Sequence, residues 1–526
     1  MTRSEQFEQL AADGVWDVVV IGGGATGLGV AVDAAARGFS VALIEAHDFA
    51  KGTSSRSTKL VHGGVRYLAQ GNIGMVREAL HERATLLANA PHLAQPLPFV
   101  MPSYRWWEKW FYGIGLVIYD LLSGRAGLGK TEFLSRADTL RCLPTARSAG
   151  LYGGVKYWDG QFDDARLAVA LARSAVAHGA CAVNYCAAIG LNKRDGRIEG
   201  ICVRDNEKDV QYELRSRCVI NATGVWVDTI RRMDDAGALD IVAPSQGVHV
   251  VVDREFLPTD HAMLIPNTED GRVLFAVPWL GRTLLGTTDT PRNDLPTEPL
   301  ALEAEIEFIL REAGKYLSKA PLRTDIRSVW VGLRPLVKPQ ASAGETKSLS
   351  REHSVLVSTS GLVTVTGGKW TTYRAMAEDV LVRCFKCNLL PRLPPSVTDR
   401  LRLAGAPEDS RTPSLSVAPD LHLYGSDADL IVALPGAKRE LAPGFTEAMV
   451  RFAVRHEFAR TVEDVLARRS RLLFLDARLA QSLAEPVSEI LSEELGPEFD
   501  APASAKAFAA LAGRYADPIS RFPQTP

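Results

Sequence analysis

Four residues near the start of the chain have the types and the spacing that bind a dinucleotide. They follow a short apolar strand at 18–21 and are Gly22, Gly24, Thr26 and Gly27. The glycines permit a tight turn into an alanine-rich helix, whose first N–H groups and positive dipole end attract a pyrophosphate. A second apolar run ends at Glu45, where a carboxylate can accept hydrogen bonds from ribose hydroxyls. The segment predicts a dinucleotide site, with NAD and FAD both open and a merely structural glycine turn as the alternative.

A loop dense in hydroxyl groups and glycines follows, between residues 53 and 67. It has little apolar surface to bury, and its short donors suit a loop that wraps a polar cofactor. A plain surface loop is the alternative interpretation. The residues that we assign to cofactor contact are Ser54, Ser57, Lys59, Leu60, His62, Gly63 and Gly64.

Two later strands end on small residues that would bring their backbone close to a bound nucleotide. One of them, 218–221, runs into Ala222, Thr223 and Gly224. The other, 362–366, runs into a glycine turn and a helix start, which offer a second set of free N–H groups. The contact residues of this return turn are Gly368, Lys369, Trp370 and Thr371. Together with the loop at 53–67 the turn provides a path along a ribityl chain to a flavin ring, which favours FAD over NAD.

The order of the predicted elements indicates an α/β fold with three parts. A Rossmann-like FAD-binding domain carries an inserted antiparallel-sheet substrate domain and is followed by a C-terminal helical domain. We assign residues 15–97, 161–244 and 361–387 to the FAD-binding domain, 98–160 to an interfacial insertion, 245–360 to the substrate domain, 388–420 to a proline-rich linker and 421–526 to the helical domain.

Composition limits the function classes. With 526 residues the chain is too long for a single core, and its 46% hydrophobic content is that of a globular protein. A formal net charge of −2 argues against nucleic acid as a partner. Seven cysteines, an odd number, suit a reducing compartment better than a disulfide framework. Cys384 and Cys387 are interpreted as packing residues rather than as a redox or zinc pair, and no metal site is predicted.

An aromatic segment at 104–112 is followed by an apolar stretch at 114–122. Trp and Tyr beside Arg and Lys are typical of a segment at a membrane interface, and a buried plug between domains is an equally open interpretation. No apolar run is long enough to predict a membrane-spanning helix. A basic run at 468–471 is interpreted as a solvated face, with a patch for lipid headgroups as the alternative.

Seven separated blocks of the chain, in this order, resemble the FAD-dependent, quinone-reducing glycerol-3-phosphate dehydrogenases. The blocks are Val20–Gly27, Ser54–Tyr67, Asn221–Gly224, Gly286–Asp289, Gly332–Leu336, Ser350–Arg351 and Gly367–Arg374. The resemblance implies oxidation of sn-glycerol 3-phosphate to dihydroxyacetone phosphate, with a hydride passing to N5 of FAD and the electrons passing on to ubiquinone. Because the N-terminal segment 1–14 shows no targeting pattern, we expect a cytoplasmic protein, peripherally attached to the inner face of the cytoplasmic membrane. A homodimer is left open.

The resemblance also assigns residues to the substrate. Arginine and lysine suit a phosphate monoester, and the matching blocks place Arg66, Tyr67, Arg334, Arg351 and Lys369 around it. The substrate hydroxyl needs a base with a pKa near the working pH. His249 is the first candidate because imidazole titrates in this range, His62 is the second, and a neutral Lys369 stays open. The expected catalytic set is His249, Arg334 and Lys369.

Three other functions compete with this one. An oxidase on the same scaffold would pass its electrons to oxygen and release peroxide, but it has no use for a membrane segment. An amine-oxidising flavoprotein of the same fold would have less use for the cationic residues. A non-catalytic flavin- or membrane-binding scaffold would hold a flavin that no substrate bleaches.

Overall fold

The structure is a computed structural model of the chain, and it describes residues 3–12, 14–64, 72–338, 353–409 and 412–517. Three of the predicted substrate-binding residues, Arg66, Tyr67 and Arg351, lie outside these ranges.

In the described part of the chain, strands occur from residue 15 to residue 446. They are β1 (Val15–Ile21), β2 (Val41–Ile44), β3 (Leu60–Val61), β4 (Ala94–Ser103), β5 (Glu132–Leu134), β6 (Gly153–Phe162), β7 (Cys181–Val183), β8 (Cys186–Arg194), β9 (Arg197–Asp205), β10 (Val210–Asn221), β11 (Val242–Asp253), β12 (Ala262–Ile265), β13 (Leu274–Trp279), β14 (Arg282–Gly286), β15 (Thr290–Pro291), β16 (Ile326–Val337), β17 (Ser354–Val357), β18 (Val363–Thr366), β19 (Glu440–Ala442) and β20 (Phe445–Thr446).

The α-helices become dense only near the C-terminus. They are α1 (Arg3–Leu10), α2 (Ala25–Ala36), α3 (Ile73–Asn89), α4 (Glu108–Ser123), α5 (Arg136–Cys142), α6 (Asp164–Ala177), α7 (Val227–Asp234), α8 (Glu303–Gly314), α9 (Tyr373–Lys386), α10 (Ala428–Val432), α11 (Glu447–His456), α12 (Leu472–Leu475), α13 (Ala477–Ser482), α14 (Ala484–Leu495) and α15 (Ala501–Ala516). A π-helical turn at Asp464–Arg469 precedes α12.

The first sheet has the strand order β17-β18-β10-β1-β2-β7, with β8 and β9 continuing from β10 as an antiparallel meander. Its central strands are parallel. Val18 and Val20 of β1 face a core formed with α2, α6 and α9, whereas Val19 and Ile21 face a core shared with β9 and β10. Burial on both faces explains why residues 18–21 of β1 are all apolar, as buried parallel strands usually are. Cys384 of α9 is also buried in the first of these cores.

The second sheet has ten strands and is antiparallel apart from the pairing of β12 with β4. Its longest ladder joins β11 to β16, and β14 lies on the other edge of β11. Strands β4 and β6 belong to this sheet, so the segment between 94 and 162 contributes to it together with the strands that follow residue 242. Helix α8 covers one face, where Ile306 and Ile309 pack against Val248 and Val250.

The C-terminal helices share a core with the second sheet. Leu466 and Phe474 belong to the same buried cluster as Trp279 and Trp330 of the sheet. The capping box before the π-helical turn forms as its sequence suggests: Asp464 N donates to Thr461 Oγ1 at 3.2 Å, and Thr461 N donates to Asp464 Oδ2 at 3.0 Å.

The interpretation of the basic run at 468–471 as a solvated face is wrong. Arg468, Arg469 and Arg471 are all buried. Their charges are paired with carboxylates that lie far away in the sequence, among them Asp48 and Asp164. Burial of an arginine is tolerated when it is paired and hydrogen-bonded in this way.

The aromatic segment lies at the surface and is not a buried plug. Trp106, just before α4, is 71% exposed, and Phe111 and Leu121 of α4 are 66% and 76% exposed. The opposite face of α4 is anchored by Leu116 and Tyr119, both buried. Among the described residues no helix combines the length and the apolar character needed to cross a membrane.

Candidate active site

The glycine turn after β1 has the close packing that the motif requires. Gly22 has a φ of +113°, and a Cβ added there would lie 2.7 Å from the carbonyl oxygen of Ala222. A Cβ on Gly27 would collide with the carbonyl oxygen of Gly22. Helix α2 begins at a glycine N-cap, Gly24, which has no side chain to cap the first turn. Ser54 Oγ accepts from Ala25 N at 2.9 Å, so the loop after β2 borders the helix N-terminus at which a phosphate group is expected.

Glu45 follows β2 directly and points back to the glycine turn. Its carboxylate accepts hydrogen bonds from Gly23 N at 2.6 Å and His47 N at 2.9 Å. Burial raises the pKa of Glu45, although these two N–H groups act in the opposite direction. The carboxylate thus lies beside the turn, as a ribose contact requires.

The structure brings the other predicted cofactor segments together at the carboxyl ends of the parallel strands. Thr366 Oγ1 donates to Gly224 O at 3.3 Å, which joins the ends of β18 and β10. Trp370 Nε1 donates to Ser54 O at 3.0 Å, so the return turn meets the loop that follows β2. This edge is where open α/β sheets bind their ligands.

Within the loop, several predicted contact residues direct their side chains into the protein. Ser57 Oγ and Lys59 Nζ both donate to Asp164, at 2.8 Å and 2.7 Å, and Leu60 lies in the core. The main-chain N–H groups of Ser57 and Lys59 are also used inside the protein, by Asp164 and by Ser57 Oγ, so the predicted cofactor contacts of these side chains are not formed as expected. The end of the loop is held by α4, because Gly63 N donates to the Tyr119 hydroxyl at 2.8 Å.

His249 and Arg334 lie on neighbouring strands of the second sheet. His249 of β11 pairs with Trp330 of β16, and Arg334 pairs with Ser245. Directly paired residues lie on the same face of a sheet, and so do residues two apart along a strand. His249 and Arg334 therefore share one face. Between them on that face lie two facing glycines, Gly247 and Gly332.

The loop after β2 crosses this face. Thr53 Oγ1 donates to Leu333 O at 2.6 Å, and a Cβ on Gly332 would lie 2.7 Å from Arg56 O. The loop therefore connects the dinucleotide edge of the first sheet to the face that carries His249 and Arg334.

Arg334 is held by the segment 287–289. Its Nη1 lies 3.0 Å from Asp289 Oδ1, and its Nη2 donates to Thr288 O at 2.9 Å and to Thr287 Oγ1 at 3.3 Å. A Cβ on Gly247 would collide with Nη2. A glycine is thus required at 247 to accommodate the guanidinium, which stays partly exposed and oriented.

His249 is buried between β14 and β16. Its ring stacks on Trp330 with 4.1 Å between centroids, and a Cβ on Gly286 would collide with it. Its Nε2 lies 2.9 Å from Thr58 Oγ1, whereas Nδ1 is buried with no partner among the described residues. Burial, and then the positive charges of Lys59 and Arg334, lower the pKa of His249 well below its usual range. The ring is therefore neutral near pH 7, but a pKa this low makes it a weaker base than an ordinary imidazole, so the expectation that His249 titrates near the working pH is not met.

A buried ionic cluster supports the loop from behind, and sequence reasoning missed it. Asp164 at the start of α6 lies 2.7 Å from Lys59 Nζ and 3.0 Å from Arg471 Nη2, and all three side chains are fully buried. Both cations also donate to Ser55 O. Burial lowers the pKa of Lys59 to about 7, although Asp164 opposes this shift. The cluster fixes the residues on either side of Thr58.

Comparisons with known proteins identify the family. Residues 17–374 match the family described as FAD dependent oxidoreductase, and residues 396–500 match the C-terminal domain of alpha-glycerophosphate oxidase. The human mitochondrial glycerol-3-phosphate dehydrogenase is 40% identical over an alignment 530 positions long, which covers 94% of this chain and 72% of that protein. The chain belongs to the FAD-dependent glycerol-3-phosphate dehydrogenase family.

Further members support this assignment. The mitochondrial glycerol-3-phosphate dehydrogenase of Arabidopsis thaliana is 40% identical over 91% of this chain and 82% of its own length. The crystal structure of the glycerol-3-phosphate dehydrogenase from Bacillus halodurans, complexed with FAD, aligns over 99% of both chains with a TM-score of 0.79 and 28% identity. The predicted fold class, family and FAD cofactor are confirmed.

Membership in this family explains the close-packed glycine turn at 22–27 and the small residues that follow β10 and β18. Both features fit a bound FAD. The segments predicted to hold it are the turn at 22–27, Glu45, the loop at 54–64, and the turns at 222–224 and 368–371, and these contacts remain a prediction. Lys369 is half-buried in the last of these turns.

Proposed function

We propose that this dehydrogenase oxidises sn-glycerol 3-phosphate to dihydroxyacetone phosphate and passes the electrons to a membrane quinone. The observation that carries the proposal is a neutral histidine and an oriented arginine on one face of the second sheet, next to the loop of the FAD site. A secondary alcohol with a phosphate on the next carbon needs both a proton acceptor and an anion-binding group.

Each residue has a separate task. Arg334 binds the phosphate, and Lys369 from the return turn adds a second positive charge to the site. His249 takes the proton from the hydroxyl on carbon 2. FAD, when bound, accepts the hydride from that carbon. The face is covered by the loop at 53–58, which excludes water from the reacting atoms.

Arg334→Ala should chiefly weaken substrate binding. Loss of charge-assisted hydrogen bonds to a phosphate costs about 2 kcal/mol, which corresponds to roughly 30-fold in affinity. The measurement is anaerobic bleaching of the bound flavin by glycerol 3-phosphate, titrated to give an apparent dissociation constant. Bleaching of the wild-type flavin tests the proposed reaction itself.

Arg327→Ala is the matched control for this variant. Arg327 pairs with a carboxylate as Arg334 does, but it lies near the other end of β16, next to Asp253, so its loss should leave the dissociation constant unchanged. An unchanged affinity in Arg334→Ala would remove Arg334 from the phosphate site. A wild-type flavin that glycerol 3-phosphate does not bleach would instead overturn the proposed substrate.

The exposed aromatic face supports quinone as the acceptor. Trp106, Phe111 and Leu121 form an apolar surface, which we call the α4 face, and Arg105 and Lys130 are exposed nearby. Aromatic rings beside cations suit the headgroup layer of a membrane. Tyr119 on the inner side of α4 holds Gly63 of the loop, so the α4 face and the flavin loop are directly connected. An oxidase that uses dissolved oxygen would have no need for such a surface.

Changing Trp106, Phe111 and Leu121 together to serine should abolish binding to vesicles of phosphatidylcholine and phosphatidylglycerol. Each loses about 1.5 to 3 kcal/mol of apolar burial if it inserts. Co-sedimentation and ubiquinone reduction in the same vesicles measure the effect. The control carries serine at three exposed leucines outside α4, namely Leu239, Leu322 and Leu430. Vesicle binding that survives in the first variant argues against the α4 face, and a peroxide yield equal to substrate consumption argues for an oxidase.

A further inference from the structure

Thr58 makes a hydrogen bond with His249 across 191 residues of sequence. Its Oγ1 lies 2.9 Å from His249 Nε2. The residues on either side of it are fixed: Ser57 donates to Asp164 from both its main chain and its hydroxyl, and Lys59 pairs with the same carboxylate. The position of the Thr58 hydroxyl is therefore set by the buried cluster rather than by a free loop.

Other contacts define the plane of the His249 ring but do not define its protonation. Trp330 stacks on it at an angle of 21°, and Gly286 leaves space beside it. Neither offers a polar atom to a ring nitrogen. Within the described ranges Thr58 supplies the hydrogen bond to Nε2, and Nδ1 has none.

A buried nitrogen without a hydrogen bond costs free energy unless a ligand satisfies it. A neutral imidazole has one N–H donor and one acceptor nitrogen, and a neighbouring group that accepts from one nitrogen leaves the lone pair on the other. A threonine hydroxyl can accept in this way.

We propose that Thr58 is a positioning residue which accepts a hydrogen bond from Nε2–H of His249 and so leaves Nδ1 as the nitrogen that takes the substrate proton. This inference rests on the proposed function. The O–H bond of the substrate hydroxyl breaks, and its proton forms a new N–H bond at Nδ1, while the hydride from carbon 2 goes to FAD. The resulting imidazolium carries a proton on each nitrogen, and the Thr58 oxygen continues to accept from Nε2. The same hydrogen bond thus orients the base and stabilises its charged form.

Thr58→Val tests this role because it removes the hydroxyl and keeps the shape. The flavin-bleaching rate at saturating glycerol 3-phosphate, measured anaerobically by stopped flow, should fall about 10- to 100-fold, as loss of orientation of a catalytic group does. The dissociation constant from the same titration should stay within about twofold of wild type, because phosphate binding belongs to Arg334. FAD content should stay at one per chain.

Two further variants separate positioning from packing. Thr58→Ser keeps the hydroxyl and should restore the rate. Thr283→Val is the control: Thr283 of β14 is fully buried, its hydroxyl has no partner among the described residues, and it lies three residues before Gly286. It should retain the wild-type rate. A Thr58→Val enzyme within twofold of the wild-type rate, one that loses FAD, or a Thr58→Ser enzyme as slow as Thr58→Val overturns the proposal.

The tautomer can be measured independently of turnover. In protein labelled with ¹⁵N-histidine, the His249 signals, assigned by their loss in His249→Asn, should show a proton on Nε2 in the wild type and a mixture in Thr58→Val. A wild-type ring protonated on Nδ1 overturns the proposal. If glycerol 3-phosphate fails to bleach the wild-type flavin, the proposed function fails, and the tautomer measurement still decides the role of Thr58.

Discussion

Asp164→Asn is expected to lower the free energy of unfolding by about 3 to 5 kcal/mol, the usual cost of breaking a buried ion pair. Asp164 accepts from Lys59 and Arg471, and all three side chains are fully buried. Asparagine cannot neutralise either cation. Arg471 keeps a second carboxylate, because its Nε lies 3.2 Å from Asp163 Oδ1, whereas the Lys59 ammonium loses the carboxylate that it pairs with. Since both cations also hold Ser55, the loop at 53–59 should loosen and FAD should dissociate more readily.

The loss should be larger at pH 6 than at pH 8. The folded-state pKa of Lys59 is about 7, below the ordinary value of 10.5, and removal of Asp164 lowers it further. At pH 8 Lys59 is mostly neutral in the folded protein whether or not Asp164 is present, so the carboxylate matters less. At pH 6 only the wild type compensates the ammonium charge.

Urea unfolding followed by tryptophan fluorescence at both pH values measures these differences. Glu255→Gln serves as the control, because Glu255 and Lys319 form an ion pair of which both side chains are more than 60% exposed. It should leave the midpoint unchanged. A midpoint for Asp164→Asn that equals the wild type would show that the cluster adds nothing to stability.

The first unit of the first sheet, β1 with α2 and β2, could be predicted because its signals are local. The strand at 18–21, the glycines and Glu45 lie within 30 residues of each other, and each is specified by its neighbours. Alternation of buried faces along β1 gives two cores from one apolar run. Nothing distant is needed to fix this unit.

The buried cluster could not be predicted because its charges find their partners at long range. Arg468 pairs with Asp48, 420 residues away, and Arg471 pairs with Asp164, 307 residues away. In sequence a run of arginines has the same appearance whether it meets water or carboxylates. Thr58 was missed for the same reason. What distinguishes its hydroxyl from the others in the loop is a hydrogen bond to His249, which lies 191 residues away on a strand of the second sheet.

The α4 face could be predicted from the sequence only in part. Its aromatic and basic composition was evident, but composition does not tell whether another element covers it. The structure decides this, because the face is open while Tyr119 and Leu116 anchor the other side. The proposed membrane role therefore depends on tertiary exposure and not on the aromatic residues alone.

The largest effect on turnover is expected from His249→Asn. Removal of a general base slows proton transfer by about 10²- to 10⁴-fold, and asparagine fills much of the same space between Trp330 and Gly286. The flavin-bleaching rate at saturating substrate should fall by at least 100-fold with FAD still bound. His261→Asn is the control, because His261 is a half-buried histidine directly before β12 and its ring contacts Thr259. It should keep the wild-type rate.

A double variant with His249→Asn and Thr58→Val tests whether Thr58 acts only through His249. If Thr58 acts only through His249, the double variant should be no slower than His249→Asn alone, because residues that act as a unit are not additive. If the two losses multiply, Thr58 makes a separate contact with FAD or substrate.

A near-wild-type rate in His249→Asn would remove His249 as the base. The proton would then have to pass to another group, and His62 and a neutral Lys369 are the other candidates that the sequence offers.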